Sequence, residues 1–99
     1  KSYLIFYKEE AIGTIRYLKT AKGIKLQRFA ILKEYRGHGY GKEVFTFFSD
    51  YLGARYNPIT IYFDAQYYLK DFYSSLGYQS TGETFMEAGI KHIKMFKRY

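Results

Sequence analysis

The sequence predicts an α+β domain: a mixed, mostly antiparallel central sheet with one amphipathic crossover helix and a second, short helix. Three observations predict it. Apolar or alternating runs of strand length occupy both ends of the chain, residues 40–55 switch to helical spacing, and a loop with three glycines in five positions (37–41) joins a solid apolar run to that helix. At 99 residues and 47% apolar content the chain reads as one compact domain, 1–99, with a single core.

Residues 3–7, YLIFY, form a continuous apolar and aromatic run suited to a buried strand, and the charged Lys8-Glu9-Glu10 ends it. Residues 11–18 alternate as a second strand does, with Ile12, Thr14, Arg16 and Leu18 against Gly13, Ile15 and Tyr17. A hairpin loop follows at 19–23, where Gly23 can take the positive φ that such loops often need. The third strand, 24–32, alternates at Ile24, Leu26 and Arg28 and then turns wholly apolar, which directs its end toward the middle of the sheet. In the helix, Tyr40, Val44, Phe45, Phe47, Phe48, Tyr51 and Leu52 are expected on the buried stripe, and Lys42, Glu43, Thr46, Ser49 and Asp50 away from it. Gly53 and Asn57-Pro58 are expected to end it. A short fourth strand spans 59–63. The second helix carries Leu69, Phe72, Tyr73 and Leu76, with Gly77 as a left-handed cap, and 78–85 and 90–97 close the chain as a hairpin around Glu87-Ala88-Gly89.

Composition narrows the function. Thirteen Tyr and nine Phe exclude a disordered chain. The absence of Cys excludes a disulfide scaffold, an iron–sulfur cluster and a thiolate zinc site, and two His, at 38 and 92, leave little for a metal, so none is expected. No apolar run approaches the roughly 18 residues that span a bilayer, so a cytoplasmic protein without membrane contact is the default expectation. A net charge of +7 fits a solvated surface as well as a phosphate-bearing partner. Aromatic strands could stack bases, but Lys and Arg are scattered along the chain, which makes a nucleic-acid-binding module the weakest reading.

The loop Arg36-Gly37-His38-Gly39-Tyr40-Gly41 is the informative feature. A glycine-rich turn entering a helix presents backbone N–H groups with no intrahelical partner at the positive end of the helix dipole, and glycines let that backbone approach a ligand closely. This is the physics of a diphosphate cradle. The dinucleotide fingerprint fails, because its last position would be Lys42, and the Walker pattern fails at Arg36 and Glu43. The pattern that fits is [Q/R]-x-x-G-x-[G/A], filled by Arg36, Gly39 and Gly41.

With that loop in FAILKEYRGHGYGKEVF, and with DFYSSLGY downstream, the chain resembles the GNAT superfamily of acetyl-CoA-dependent N-acetyltransferases over about residues 2–97. The tail TGETFMEAGIKHIKM is similar to the ElaA-type subgroup, with Lys91 where that subgroup tends to have Pro. The resemblance implies an acetyl-CoA N-acyltransferase fold and transfer of acetyl from acetyl-CoA to a primary amine by direct attack in a ternary complex. It implies that the backbone of Phe29, Ala30 and Ile31 lines the pantetheine arm, with the N–H near Ile31 donating to the thioester oxygen, a contact typically worth about 2.7–4 kcal/mol of barrier. The N–H groups of Gly37, His38, Gly39, Tyr40, Gly41 and Lys42 would hold the pyrophosphate, Arg36 and Lys42 would add charge, and Gln66 would contact the arm where relatives carry Asn. Tyr73 falls at the family's tyrosine near the sulfur, where a phenol protonated at neutral pH can act as general acid.

The base is less defined. Many relatives carry a Glu at the position of Gln27, which cannot accept a proton; the candidates are His92, Asp64 and ordered water. The family usually opens with a strand and one or two helices before the point where this sequence starts, so the chain reads as a fragment or a minimal member, and in a minimal member the acceptor side would be open or completed by a second subunit of a homodimer. Gln27 and the short front motivate an alternative, a catalytically degenerate domain of the same fold that binds CoA as a sensor. The acceptor amine, small molecule or protein terminus, is not legible.

Overall fold

The computed structural model describes residues 2–7, 10–31 and 39–99. Its elements are β1 (Ser2–Tyr7), β2 (Glu10–Thr20), β3 (Gly23–Ile31), α1 (Tyr40–Arg55), β4 (Thr60–Gln66), a 3-10 turn (Tyr67–Leu69), α2 (Lys70–Ser75), β5 (Gln79–Glu87) and β6 (Ile90–Arg98). The expected order of elements is the observed one, with β4 extended to Gln66. The strands form one six-stranded sheet in the order β1-β2-β3-β4-β6-β5. β3 and β4, joined through α1, are parallel, and every other pair is antiparallel.

Alternation decides which face is covered. On β4, Ile61, Phe63 and Ala65 are buried while Thr60, Tyr62, Asp64 and Gln66 are half-buried on the opposite face. The buried set joins Tyr17, Ile24 and Leu26 of the first strands, Ile93 and Met95 of β6, and Phe45 and Leu52 of α1 in one core. Both helices therefore cover one face of the sheet, with Tyr73 of α2 packed between Phe45 and Phe63 at ring separations of 5.2 and 4.7 Å. The other face, carrying Lys25, Tyr62, Asp64 and Lys94, has no helix on it among the described residues.

Three expectations are corrected. The run 3–7 is an edge strand rather than a buried one: Leu4 is 60% exposed, and only β2 pairs with it. On α1, Phe47 (72% exposed) and Tyr51 (43%) lie outside the core, and Ser49 lies inside it. Helical geometry gives the reason. At 100° per residue Phe47 sits about 200° from Phe45, whereas Ser49 stands four residues after Phe45 and three before Leu52, within the stripe. Gly53 does not end the helix, which continues to Arg55 and closes with Tyr56 N–H donating to the Leu52 carbonyl at 3.0 Å. Its missing side chain makes room for the ring of Tyr99, since a Cβ there would come within 2.1 Å of Tyr99 Cδ2.

Two turns behave as expected. Gly77 takes φ 94° after α2, and the β5–β6 hairpin turns through Ala88 (φ 52°) and Gly89 (φ 76°). Gly23, at φ 135°, has a further reason to be glycine: a Cβ there would lie 2.1 Å from the Thr60 carbonyl oxygen, where β3 meets β4.

Candidate active site

The parallel ladder between β3 and β4 is short. Ile24 pairs with Ile61 and Lys25 with Tyr62, and beyond these two rungs the strands part. β3 also bulges at Gln27, because its register with β2 jumps from Tyr17↔Leu26 to Arg16↔Arg28. The gap is a cavity of about 190 Å³, with Gln27 and Phe29 on one wall, Phe63, Asp64 and Gln66 on the other, and Phe45, Leu69 and Tyr73 beneath. It lies at the carboxyl ends of two parallel strands, where open sheets with crossover helices leave a crevice for ligands. From Gln27 onward the edge of β3 that faces β4 has no strand paired to it among the described residues.

Tyr73 is positioned by α2. Its own carbonyl accepts the N–H groups of Leu76 (3.0 Å) and Tyr78 (3.1 Å), which close the helix and turn the chain into β5. Burial, and after it the neighbouring Tyr68 phenol, raise the Tyr73 phenol above its ordinary value of 10.0, so it stays protonated through neutral pH. Among the described residues its hydroxyl has no hydrogen-bond partner.

At the entrance to α1, Gly39 is the N-cap with φ 79° and ψ 0°, and no described side chain caps the helix. Gly39 needs glycine for that backbone conformation. Gly41 does not: its φ is not left-handed, and a Cβ there would meet nothing within 4 Å. Neither conformation nor packing among the described residues asks for glycine at 41. A second groove, about 440 Å³, runs from Gly39 and Lys42 along Glu43 and Thr46 to the exposed Phe47.

The structure brings Phe29, Gln66 and Tyr73 to one cavity, and sets Gly39, Tyr40, Gly41 and Lys42 in the cap and first turn of α1. Ala30 and Ile31 continue β3 past the bulge, opposite Thr14 and Gly13. Arg36, Gly37 and His38 lie outside the described residues. His92 is not brought to the cavity. It stands across the β4–β6 ladder from Gln66, with Nδ1 2.8 Å from the Ile90 carbonyl, Nε2 3.8 Å from Glu87 and its ring stacked on Phe85 at 5.6 Å. Asp64 does line the cavity, and Lys94 Nζ donates to its Oδ1 at 3.4 Å. Leu26, Phe45, Phe63 and Leu69 were legible in the sequence only as core; the signal for a second role is their place beside the C-terminal ends of a parallel pair, which needs the topology. Among the described residues no helix is long and apolar enough to cross a membrane, and no group of three or more His, Cys, Asp or Glu side chains could hold a metal ion.

Comparison with known proteins agrees with this geometry. Residues 1–99 match the family model described as the acetyltransferase (GNAT) domain. Over 95 residues the chain is 34% identical to the uncharacterized protein YyaT of Bacillus subtilis (strain 168), covering 95% of this chain and 63% of YyaT. Escherichia coli ElaA superposes with a TM-score of 0.87 at 23% identity, over 98% of this chain and 67% of ElaA. Arabidopsis thaliana Naa50, solved in complex with the bisubstrate analogue CoA-Ac-MVNAL, gives a TM-score of 0.76 at 22% identity, over 99% of this chain and 72% of Naa50. The chain thus spans under two thirds of the curated relative it matches and about two thirds of ElaA. Two structures at these identities share the fold; the full-length match to the family model goes further, and the chain belongs to the GNAT acetyltransferase family.

Proposed function

We propose that the domain catalyses transfer of an acetyl group from acetyl-CoA to a primary amine. The observation that carries this reading is the interrupted β3–β4 ladder, with the protonated Tyr73 phenol at the floor of the gap. The fit to the donor is good on two counts. The edge of β3 from Gln27 onward, unpaired among the described residues, suits an extended arm with amide groups, and the start of α1, where no described side chain caps the helix or crowds Gly41, suits a diphosphate. The backbone of Phe29, Ala30 and Ile31 and the side chain of Gln66 would hold the arm. The N–H groups of Gly39 to Lys42 would hold the diphosphate, together with Arg36, Gly37 and His38, and Lys42 and Phe47 face the groove left for the nucleotide end.

When bound, acetyl-CoA supplies an activated acyl group with a thiolate leaving group. The residues of this chain do the rest. An N–H near Ile31 donates to the thioester oxygen as charge develops there. Tyr73 Oη gives its proton to the departing sulfur. An alkylammonium, with a pKa near 10.4, has to lose a proton before it attacks. The aromatic lining of Phe29, Phe45, Phe63 and Tyr73 favours the neutral amine by desolvation. Asp64, the carboxylate in that lining, carries the proton out toward solvent, a role the geometry favours over His92.

The test uses the full-length protein. Acetyl-CoA is incubated with a panel of amines and released thiol is titrated, alongside calorimetry of CoA binding. Tyr73→Phe should lower kcat by roughly 10²–10⁴, the usual scale of general acid catalysis, and leave CoA affinity nearly intact. Failure to bind CoA at millimolar concentration refutes the proposal. Gln27, an amide in the cavity wall, favours one second reading, a CoA-binding domain without turnover. Binding with no turnover on any amine selects it.

A further inference from the structure

On the face of the sheet that no described helix covers, a groove of about 360 Å³ runs along β4 and β6 and shares Phe63 and Asp64 with the cavity. Its floor is three cross-strand rungs: Asp64 opposite Lys94, Tyr62 opposite Phe96, and Thr60 opposite Arg98. The charges are sorted along it. At the end that joins the cavity, the irregular stretch of β5 between Ser80 and Thr84 brings Glu83 to the wall beside Lys94. Among the described residues that end therefore holds two carboxylates, Asp64 and Glu83, against one ammonium, Lys94. At the far end Arg98 is joined by Lys22 across Thr60, and among the described residues no acidic side chain lines the groove there. The middle is aromatic and held in place: Tyr62 Oη lies 2.6 Å from Thr20 Oγ1, and the Arg98 guanidinium sits 5.0 Å from the centroid of the Phe96 ring.

A simple alkylammonium would find use for only one end of such a groove. We propose that the acceptor is an amine that also carries an anionic group, carboxylate or phosphate. Its ammonium is drawn to the Asp64–Glu83 end beside the cavity, its apolar middle lies over Tyr62 and Phe96, and its anion is held by Arg98 and Lys22. Four strand residues separate the two ends, from Asp64 to Thr60 and from Lys94 to Arg98, which sets the nitrogen-to-anion span at up to about 13 Å. This inference rests on the acetyltransfer reading and narrows its substrate class.

The experiment compares paired acceptors on the full-length protein: 6-aminohexanoate with hexylamine, 8-aminooctanoate with octylamine, and 6-aminohexyl phosphate as the arm that separates a carboxylate preference from a phosphate one. Each is assayed with wild type and with the double variant Lys22→Gln/Arg98→Gln. The anionic member of each pair should be favoured roughly tenfold or more in kcat/KM, the scale of one charge-assisted hydrogen bond. The double variant should erase the preference by raising KM for the anionic acceptors while leaving kcat, and both constants for the alkylamines, unchanged. Equal kcat/KM within the wild-type pairs, or a preference that survives the double variant, overturns the inference. If no amine is turned over, it is the acetyltransfer reading that has failed. Backbone amide shifts at Tyr62, Asp64 and Phe96 on titration with 6-aminohexanoate but not hexylamine, abolished in the double variant, would then still support the groove as an amine-and-anion site, and their absence would overturn it.

Discussion

Replacing Gly53 by Ala should destabilise this domain, although the exchange taken alone favours a helix by up to about 0.8–1.0 kcal/mol. The opposing effect comes from Tyr99. A Cβ built on Gly53 lies 2.1, 2.3 and 2.6 Å from Cδ2, Cγ and Cε2 of that ring, so the ring must move by more than an ångström. It is not free to do so. The main chain of Tyr99 is tied to Ile59 at both N–H (2.8 Å) and C=O (3.1 Å), and its hydroxyl donates to Asp50 Oδ1 at 2.9 Å. The buried Ser49 hydroxyl bridges the phenols of Tyr99 and Tyr78, the latter at 2.7 Å. Overpacking of this kind costs roughly 1–3 kcal/mol, and leaving a buried hydroxyl such as Ser49 short of a partner costs roughly another 1–3 kcal/mol. After the helix gain is set against these, a net loss of roughly 1–5 kcal/mol is expected. The control is Tyr99→Ala. In that background the new methyl meets no ring, and Gly53→Ala should stabilise by about 1 kcal/mol or less. Urea unfolding followed by far-UV circular dichroism on the four proteins of the cycle gives both numbers from shifts in midpoint at constant slope. A rise in midpoint for Gly53→Ala in the wild type, or the same effect in both backgrounds, would refute the account of Gly53 as space for Tyr99.

Two further predictions concern the donor site and pH. Gly41→Ala should leave the urea midpoint unchanged or slightly raised, since the added methyl meets nothing and alanine suits a helix better. Calorimetry should show CoA affinity reduced tenfold or more, and an unchanged Kd would mean that no ligand approaches Gly41. Stability should also fall as pH rises above about 10. Burial, ahead of Asp50, pushes the Tyr99 phenol up to about 12, and burial raises Tyr78 and Tyr17 as well. A phenol whose folded pKa exceeds its unfolded value of 10 contributes stability that is whole below pH 10 and is lost as the pH climbs through the folded value. Tyr56 acts in the opposite sense, because the Arg55 guanidinium lowers its phenol, but burial raises Tyr73 too, so it is one group against four. Melting temperatures measured from pH 9 to 12 should therefore fall, less steeply for Tyr99→Phe, and a flat profile would show these phenols to be titrating freely.

The parts of this fold that were legible in the sequence are those fixed within a few residues. The helix at 40–55 follows from its spacing, Gly77 from the need for a left-handed cap, and the last hairpin from Ala88-Gly89 between two alternating runs. What misled was reading hydrophobicity as orientation. Phe47 is apolar but points the wrong way round the helix, and Ser49 is polar but points inward, where Tyr78 and Tyr99 satisfy its hydroxyl. Gly53 looked like a stop because Tyr99, the residue that explains it, is 46 positions away in the chain. The site divides in the same way. The glycine loop and Tyr73 announce themselves through local motifs, whereas the cavity between them exists only because β3 and β4 are parallel and part after two rungs.

That parting ties the two proposals together. Strand alternation sends Phe63 and Ala65 to the core face of the sheet and Asp64 and Gln66 to the open face. In an unbroken sheet these faces would be sealed from each other, and a thioester carried on one could not meet an amine lying on the other. The bulge at Gln27 and the end of the ladder at Lys25↔Tyr62 open a passage at the level of Asp64. Phe63 and Asp64 thus line both the cavity and the groove, and Asp64 is the one of the two that carries a charge. A donor arm running along the bared edge of β3 and an acceptor lying along Tyr62 and Phe96 would approach each other there. The proton the amine has to lose would then pass to a carboxylate already paired with Lys94. The charge order of the groove follows from the same geometry: only an acceptor with its amine at the Asp64 end presents nitrogen to the passage, and the cations at Arg98 and Lys22 oppose the reversed orientation.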